Sequence, residues 1–350
     1  MEVKLAPKIK KNLLFGYSAI RSANFTLQAS VLPLVQWLAT RKKRDLPKSF
    51  SEHFRQTLPK LQSLLLKDSE NISNNIYPVE VLLPESPVAH VLRLPVIIVD
   101  AFAAAKRREK KETKEFQERL MDLVEETPEY YKRNFHFQTN GYFGEDSAKI
   151  YDHQVEVLFS GTADAMRRLI IPRLKKHFNN DDGLGKHFLE IGCGTGSLTR
   201  FIALAFPKAK ITCVDLSSSY LKVASQRLKK FDRINYLQGA AESLSLKSET
   251  FDAVFSCFLF HELPKAVRLQ VIHEGKRLLR PGGFYGLVDS IQKDDDVSLN
   301  WALEQFPMDY HEPFYKDYIQ NSIESLFKEA GLKSIESEFG FFAKVVTGVA

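Results

Sequence analysis

The pattern of apolar and polar positions changes near residue 160 of the chain. Beyond it, short runs of β-branched and other apolar residues alternate with stretches whose apolar residues recur every three or four positions. Strands that alternate with helices indicate a parallel sheet covered by helices on both faces. The predicted strands are His187–Ile191, Ala209–Val214, Ile234–Gln238, Phe251–Cys257, Gly283–Asp289, Ser334–Phe339 and Ala343–Val349.

Helical periodicity precedes the first strand and fills the gaps between several of the others. The predicted helices are Ala163–His177, Ser197–Phe206, Ser219–Phe231 and Lys265–Leu279. Thr162 has the residue type of an N-cap for the first of them. A tight connection, Gly340 to Phe342, separates the last two strands and predicts an antiparallel hairpin at the sheet edge. The predicted fold class is α/β, with a seven-stranded, mostly parallel sheet in residues 161–350.

The first 130 residues are predicted to form a largely helical region. Leu58, Leu61, Leu64 and Leu65 have helical spacing. Opposite charges four residues apart over Lys106–Arg119 are typical of a solvated helix face. Polar stretches at Lys67–Asn75 and Asn179–Lys186 indicate loops, and residues 131–160 are predicted to form a lid or linker before the sheet domain.

Two N-terminal segments bear on location. The apolar run from Val88 to Ala105 is interrupted by His90, Arg93 and Asp100, so we interpret it as a buried helix or strand-like segment and expect no stable membrane insertion. The basic start of the chain resembles a targeting segment, but Glu2 and the lack of an arginine-rich pattern favour the helical or irregular start of a cytoplasmic protein.

Composition and charge narrow the class further. A hydrophobic share of 44% and a charged share of 26% are ordinary for a globular protein. The net charge of +6 is spread along the chain without a basic stripe, so no nucleic-acid partner is expected. Cys193, Cys213 and Cys257 have no metal-site spacing and are too few for a disulfide framework, which favours a reducing compartment.

The sharpest chemical signal is the segment Phe188-Leu-Glu-Ile-Gly-Cys-Gly-Thr-Gly196. An apolar strand runs into three glycines, which let the chain turn sharply and let a ligand lie against bare backbone. Asp215 ends the next predicted strand, where a carboxylate can accept both hydroxyls of an adenosine ribose. This arrangement alone suits a dinucleotide and an adenosyl-sulfonium equally well.

The spacing of the glycines distinguishes between these two kinds of ligand. A dinucleotide fingerprint needs glycine where Ser197 stands, and here Glu190 precedes the first glycine instead. In this form the segment closely resembles the first motif of the class I S-adenosylmethionine-dependent methyltransferases, which implies a Rossmann-like fold and that cofactor. The resemblance implies a set of cofactor-binding residues: Glu190, Gly192, Gly194, Gly196, Asp215, Ala241 and Glu242.

Two further segments follow in the order of that family. Phe251 to Leu263 resembles the fourth strand and the loop where the acceptor approaches the methyl group, and Leu278 to Phe284 resembles the turn into the fifth strand.

One position departs from the pattern of that family. Many relatives have Gly-Asp-Ala-Glu after the third strand, with the Asp on the adenine amino group, whereas this chain has Ala240 there. Backbone near Ala241 is then expected to hold the adenine edge.

The candidates for acceptor chemistry lie around the fourth strand. His261, just past that strand, is the expected general base if the acceptor loses a proton, and His311 is a weaker candidate. The resemblance implies a lid before the sheet domain, in which Tyr142 and Tyr151 are expected to face the adenosyl group or the acceptor. Aromatic residues expected at the acceptor follow the fifth strand: Trp301, Phe306, Tyr310 and Tyr315.

The predicted function is therefore methylation of a small molecule, hydrophobic or aromatic, with S-adenosyl-L-methionine as co-substrate and without a metal. Two alternatives remain open. A catalytically silent relative that serves as a binding subunit is kept open by Ala240 and by the unexplained first 130 residues, although the intact glycines and Asp215 argue against it. A nicotinamide-dependent oxidoreductase is disfavoured by Ser197 and Glu190.

Overall fold

The computed structural model describes residues 6–42, 50–83 and 87–350. Helices dominate the part before the sheet. In chain order they are α1 Pro7–Ala29, α2 Leu32–Thr40, α3 Phe50–Ser73, α4 Pro87–Lys110, α5 Met121–Glu125, α6 Glu145–Leu158, α7 Ala163–Arg168 and α8 Ile171–His177. The expected helical character of this region is confirmed for these segments.

A seven-stranded sheet forms the rest of the chain together with six further helices. The strands are β1 His187–Ile191, β2 Lys210–Asp215, β3 Ile234–Gln238, β4 Phe251–Cys257, β5 Leu279–Ser290, β6 Lys333–Gly340 and β7 Ala343–Val349. The helices are α9 Ser197–Ala205, α10 Ser218–Arg227, α11 Lys265–Leu278, α12 Asn300–Asp309, α13 Tyr315–Tyr318 and α14 Ile323–Glu329. All seven predicted strands are present, and β5 is longer than predicted by four residues at its start.

The strand order in the sheet is β3-β2-β1-β4-β5-β7-β6. Strands β1 to β5 pair in parallel, and β7 enters antiparallel between β5 and β6. The hairpin of the last two strands is confirmed, with β6 at the edge. Since β1 pairs with β2 on one side and β4 on the other, the strand order reverses beside β1. A crevice at the carboxyl ends of the strands is expected there.

The N-terminal helices share a hydrophobic cluster with the sheet domain. Leu64, Leu65 and Ile72 of α3 are buried in the same cluster as Phe188 of β1 and Phe255 of β4. A buried ion pair fixes the same junction. Arg168 of α7 donates two hydrogen bonds to Asp68 of α3, at 2.8 and 2.7 Å.

Two predictions about where α3 and α4 end are wrong. Lys67–Asn75 is not a loop, because α3 continues to Ser73 with Asp68 and Ile72 on its buried face. The charged stretch Lys106–Arg119 is not one helix, because α4 ends at Lys110 and Lys111 takes a left-handed φ of 57°.

The predicted helix Ala163–His177 is broken into α7 and α8 after Arg168. Thr162 does not cap it. Its hydroxyl donates to the backbone oxygen of Phe159 at 2.6 Å instead.

The apolar run from Val88 to Ala105 belongs to α4, and its expected burial is wrong for part of the helix. The side chains of Leu92 and Val99 are 69% and 70% exposed. Within the described part of the chain, no helix combines the length and the apolarity needed to cross a membrane.

Candidate active site

The glycine loop between β1 and α9 forms the floor of a pocket at the carboxyl ends of the strands. Gly192, Gly194 and Gly196 all have positive φ, at 67°, 54° and 78°. A side chain at Gly192 would come within 2.9 Å of Leu259. At Gly194 the nearest atom to an added Cβ is 4.0 Å away, so this position leaves bare backbone open to a ligand.

Asp215, at the end of β2, holds the glycine loop in place. Its Oδ2 accepts a hydrogen bond from the backbone N–H of Gly194 at 2.7 Å, and its Oδ1 accepts one from Ser217 at 2.8 Å. Burial in the pocket raises the pKa of Asp215 to about 6, although these backbone donors oppose the shift. Each oxygen keeps a lone pair for a further donor, as binding to a ribose diol requires.

The structure brings most of the predicted cofactor residues together. Lining the pocket are Glu190, Gly192, Gly194, Asp215, Ala241, Tyr142 and Tyr151. Glu190 is buried and accepts a hydrogen bond from the Thr199 hydroxyl, and burial raises its pKa to about 8. A carboxyl of this pKa is mostly protonated at neutral pH.

Two predicted cofactor residues lie outside the pocket lining. Gly196 packs below the loop, where an added Cβ would come within 2.6 Å of Leu228. Glu242 faces Tyr130, whose hydroxyl donates to its Oε1 at 2.8 Å. Gly196 is therefore placed for packing, and Glu242 for holding Tyr130, which does line the pocket.

Tyrosine rings line the pocket together with the glycine loop. Tyr142 and Tyr220 meet edge to face at 5.3 Å, and Tyr151 lies 5.5 Å from Tyr220. Tyr131 lies 6.0 Å from Tyr142 and also lines the pocket. Such π faces attract a positively charged ligand. The sequence singled out Tyr142 and Tyr151 but missed Tyr131 and Tyr220, which have no signal of their own.

Asp152, on α6, connects the segment above the pocket to the glycine loop. Its carboxylate accepts hydrogen bonds from the hydroxyls of Thr195 at 2.6 Å and Ser197 at 2.5 Å, and it pairs with Arg227. The side chain lines the pocket but was not predicted as a site residue. Its position next to Tyr151 was the available signal.

His261 forms a buried dyad with Asp289, which lies at the end of β5. The ring Nδ1 and the Asp289 Oδ1 are 2.5 Å apart, and Asp289 Oδ2 accepts from the Phe260 backbone N–H at 2.7 Å. Burial alone would lower the pKa of His261, but the Asp289 carboxylate outweighs it and raises the pKa to about 9. The sequence did not single out Asp289 as a partner.

A second polar cluster lies beside this dyad. Glu262 accepts a hydrogen bond from the Tyr142 hydroxyl, and Glu312 pairs with His136. Burial and the neighbouring Glu312 carboxylate raise the pKa of Glu262 to about 7. One ligand atom from each of His136, Glu262 and Glu312 lies within 4.8 Å of the others, a set that a divalent cation could use. Tyr142 and His136 already contact these two carboxylates. The expectation of no metal stays a prediction.

A second, mostly apolar cavity adjoins the cofactor pocket. Tyr151 and Phe258 line both, and His261 lines the second. The aromatic residues expected at the acceptor all lie on this cavity: Trp301, Phe306, Tyr310 and Tyr315. His311 does not line it. Its backbone oxygen accepts from the His136 N–H at 3.3 Å.

This strand order, glycine loop and strand-end carboxylate are together those of a Rossmann-like domain. Residues 188–283 match the family model described as a methyltransferase domain. This match supports the class I S-adenosylmethionine-dependent methyltransferase type that the sequence implied for the sheet domain.

Curated relatives agree on the class but differ in acceptor. A malonyl-[acyl-carrier protein] O-methyltransferase of Priestia megaterium is 38% identical over 31% of this chain and 36% of its own. A ubiquinone/menaquinone biosynthesis C-methyltransferase of Syntrophotalea carbinolica is 40% identical over 29% and 42%. A fatty-acid O-methyltransferase of Mycolicibacterium smegmatis is 30% identical over 42% and 52%. The chain thus matches from about a third to about half of the length of these relatives.

Proposed function

We propose that this protein transfers the methyl group of S-adenosylmethionine to a small acceptor with a hydrophobic or aromatic body. The observation that carries the proposal is the junction of the two cavities. Tyr151 and Phe258 form a shared wall between the glycine-loop pocket and the aromatic cavity, and His261 stands beside that wall. An acceptor in the aromatic cavity would therefore present its reactive atom towards the cofactor pocket.

The residues present fit the cofactor. The bare backbone at Gly194 accommodates close approach, and Asp215 has lone pairs for the ribose hydroxyls. Ala241 lines the pocket and is the residue expected at the adenine edge, since Ala240 offers no carboxylate. When bound, S-adenosylmethionine supplies a methyl group already activated on a sulfonium. The chain then has to position the acceptor and exclude water.

The residues above the pocket are suited to exclude water. We infer that residues 131–160 act as a lid, which is held by Ser217, whose hydroxyl donates to the Tyr142 backbone oxygen at 2.6 Å. Ser219 donates likewise to the Phe143 oxygen at 2.8 Å. Tyr142 and Tyr151 on this lid face the cofactor pocket.

His261 is the proposed general base for an acceptor that loses a proton. Its Nδ1 is held by Asp289, so its Nε2 is the nitrogen left for the acceptor. Transfer forms the bond from the acceptor atom to the methyl carbon and breaks the sulfur–carbon bond, while Nε2 takes the proton. Only the neutral ring can do this.

The acceptors named for the relatives are consistent with an apolar acceptor body. A fatty acid and quinones stand among them. We favour a small molecule of this character over nucleic acid, and the absence of a nucleic-acid partner stays a prediction, as does the cytoplasmic location.

Calorimetric titration of S-adenosylhomocysteine tests the cofactor site. We expect micromolar binding by the wild-type protein, loss of binding in Asp215→Ala, and unchanged binding in Asp232→Ala, which removes an exposed aspartate on a loop. Correctly folded wild-type protein that binds NADH but no S-adenosylhomocysteine would instead support the nicotinamide alternative.

Transfer itself requires a second assay. With radiolabelled S-adenosylmethionine and a lipid-soluble extract, we expect label in an organic-phase product, and none with Asp215→Ala. Label only in protein or RNA of a whole-cell extract would overturn the small-molecule acceptor. Binding of S-adenosylhomocysteine without labelling of any cell fraction would support the silent binding subunit.

A further inference from the structure

Three N-terminal helices expose an unusual amount of apolar surface. More than half of the large hydrophobic side chains exposed in the described chain lie on α1, α2 and α4 or at the turn between the first two. On α1 they recur at helical spacing, with Leu13 60%, Ile20 74% and Leu27 69% exposed. Scattered exposed apolar residues are normal, but stripes on neighbouring helices mark an interaction surface.

Helix α6 links α1 to the other two helices. Helices α1 and α4 both pack on α6, and α2 packs on α4. Helix α2 is apolar almost all round, since only Gln36 and Thr40 are polar in Leu32–Thr40. A helix of this kind is ordinarily buried, yet Leu34 is 55% exposed. Something apolar is expected to cover this face.

The basic residues of α1 and α2 indicate which kind of partner covers this apolar face. Residues 6–42 contain Lys8, Lys10, Lys11, Arg21, Arg41 and Lys42 and no acidic residue. Arg21 turns inward to Glu156 and Asp164. Lys11 pairs with Glu70 at 3.8 Å and Lys42 with Glu109 at 2.8 Å, whereas Lys8 and Arg41 are exposed at the start of α1 and the end of α2. A basic border around exposed aliphatic and aromatic side chains is the pattern of helices that lie in the interface of an anionic membrane.

We propose that α1, α2 and α4 dock this protein onto the surface of an anionic lipid bilayer, lying in the interface without crossing it. Trp37 is 39% exposed on α2 with Arg41 stacked over its ring at 5.5 Å. Trp and Arg in this arrangement are suited to the depth of the lipid headgroups. A second copy of the chain is disfavoured because two identical basic borders would repel each other.

A cavity leads from this surface towards the active site. It is lined by Leu32 and Val35 of α2 and by Ile97 and Ala101 of α4. His136, Tyr151, Val155, Leu158 and Tyr310 line both this cavity and the aromatic cavity next to the cofactor pocket. Docking therefore places the bilayer beside this cavity, which adjoins the cavity that His261 lines. This consequence rests on the proposed function, whereas the docking itself does not.

Vesicle co-sedimentation of the full chain, without cofactor or acceptor, tests the docking. One vesicle type is phosphatidylcholine alone and the other contains about one third phosphatidylglycerol. We expect the wild-type protein to bind the anionic vesicles at least about tenfold more tightly, with binding weakened by salt. The emission of Trp37 should shift to the blue on binding, and Trp37→Phe should lose that part of the shift.

A matched pair of double variants locates the surface. Leu13→Glu with Ile20→Glu places two charges on the exposed α1 stripe, and we expect it to weaken binding at least about tenfold. Leu184→Glu with Val297→Glu alters two side chains that are 72% and 71% exposed elsewhere and should bind as the wild type does. Equal binding by the two double variants, or no vesicle binding by folded wild-type protein, would overturn the proposal. So would a dimer in sedimentation velocity that only the α1 variant abolishes.

Discussion

At the scale of single residues, burial raises the pKa of two carboxyl groups of the site, and their hydrogen-bond donors decide which of them is charged. Glu190 and Asp215 lie at the ends of neighbouring strands, and burial raises the pKa of both, to about 8 and about 6. The buried Glu190 accepts one hydroxyl donor, whereas Asp215 accepts two backbone N–H groups. Asp215 is therefore the carboxylate that is charged at neutral pH.

The affinity for S-adenosylhomocysteine should depend on pH through Asp215. Ribose hydroxyls donate to the ionised carboxylate, so a group protonated in the free protein must release its proton on binding. Above pH 6 Asp215 is already ionised, so binding requires no proton release. Below pH 6 the affinity should fall by up to about tenfold per pH unit. Calorimetry between pH 5 and pH 8 measures this, with Asp215→Asn as control. An equally steep fall in Asp215→Asn would assign the dependence to another group.

The His261–Asp289 dyad should set the pH profile of methyl transfer. With a pKa of about 9, only about one His261 ring in a hundred is neutral at pH 7, so a rate that needs the base should rise up to about pH 9. Asp289→Asn removes the main cause of the raised pKa, and the midpoint should move to lower pH by about a unit or more. It should also lower the maximal rate, because the ring loses its orienting partner.

The same rate measurements distinguish positioning from folding. If Asp289 merely supports the fold, Asp289→Asn would lower the rate at every pH and leave the midpoint unchanged. His261→Asn should remove the rising limb altogether. A profile in His261→Asn that matches the wild type would exclude His261 as the base.

At the scale of elements, the five residues of the glycine loop serve both ligand binding and packing. Gly194 faces the pocket, whereas Gly196 packs against Leu228 of the segment after α10. Both have positive φ, so alanine is strained at either position. The two positions differ in what the added methyl group meets.

Alanine substitution should separate binding from packing in this loop. Gly196→Ala should lower the free energy of unfolding by about 1–3 kcal/mol, from backbone strain and the contact with Leu228. Gly194→Ala carries similar strain but also places its methyl group where the ligand lies, so it should lose most S-adenosylhomocysteine affinity. Urea denaturation and calorimetry on both variants measure this. Equal affinities in the folded variants would contradict the assignment of Gly194 to the ligand.

At the scale of the whole molecule, the N-terminal helices are an integral part of the fold around the sheet. Their buried leucines join the cluster of β1 and β4, and Arg168 and Asp68 are both nearly inaccessible to solvent. The Tyr77 hydroxyl donates to the same aspartate at 2.7 Å. A polar group buried in this way stabilises the junction only while its partners remain.

Asp68→Asn should destabilise the protein strongly, because it leaves the buried Arg168 charge unpaired. We expect a loss of about 3–5 kcal/mol in the free energy of unfolding. Lys67→Met is the matched control, since Lys67 lies next in sequence and pairs with Glu338 at the surface, a contact worth about 0.2–1 kcal/mol. Urea midpoints measure both, and similar losses would show that α3 does not depend on the buried pair.

The local pattern of the sequence was sufficient for the sheet and for the centre of the cofactor site. Short β-branched and apolar runs between stretches of helical periodicity located seven strands, and the glycine spacing with Asp215 marked the pocket, because these features depend on neighbours within a few residues. The ends of the helices were harder to predict than the strands. The α3 stretch from Lys67 has polar residues that suggest a loop, but Asp68 finds its partner a hundred residues away.

The tertiary structure alone decided the partners. Asp152, Tyr220 and Asp289 were not predicted as site residues, since their roles arise only when α6, α10 and β5 meet around the pocket. The raised pKa values follow from burial at Glu190 and Asp215 and from the Asp289 carboxylate at His261, and neither cause has a local signature in the sequence. The sequence by itself therefore determined the fold class and the cofactor chemistry, through short-range spacing. The protonation of the site, its acceptor cavity and its apolar surface depend on long-range packing, and only the folded chain decided them.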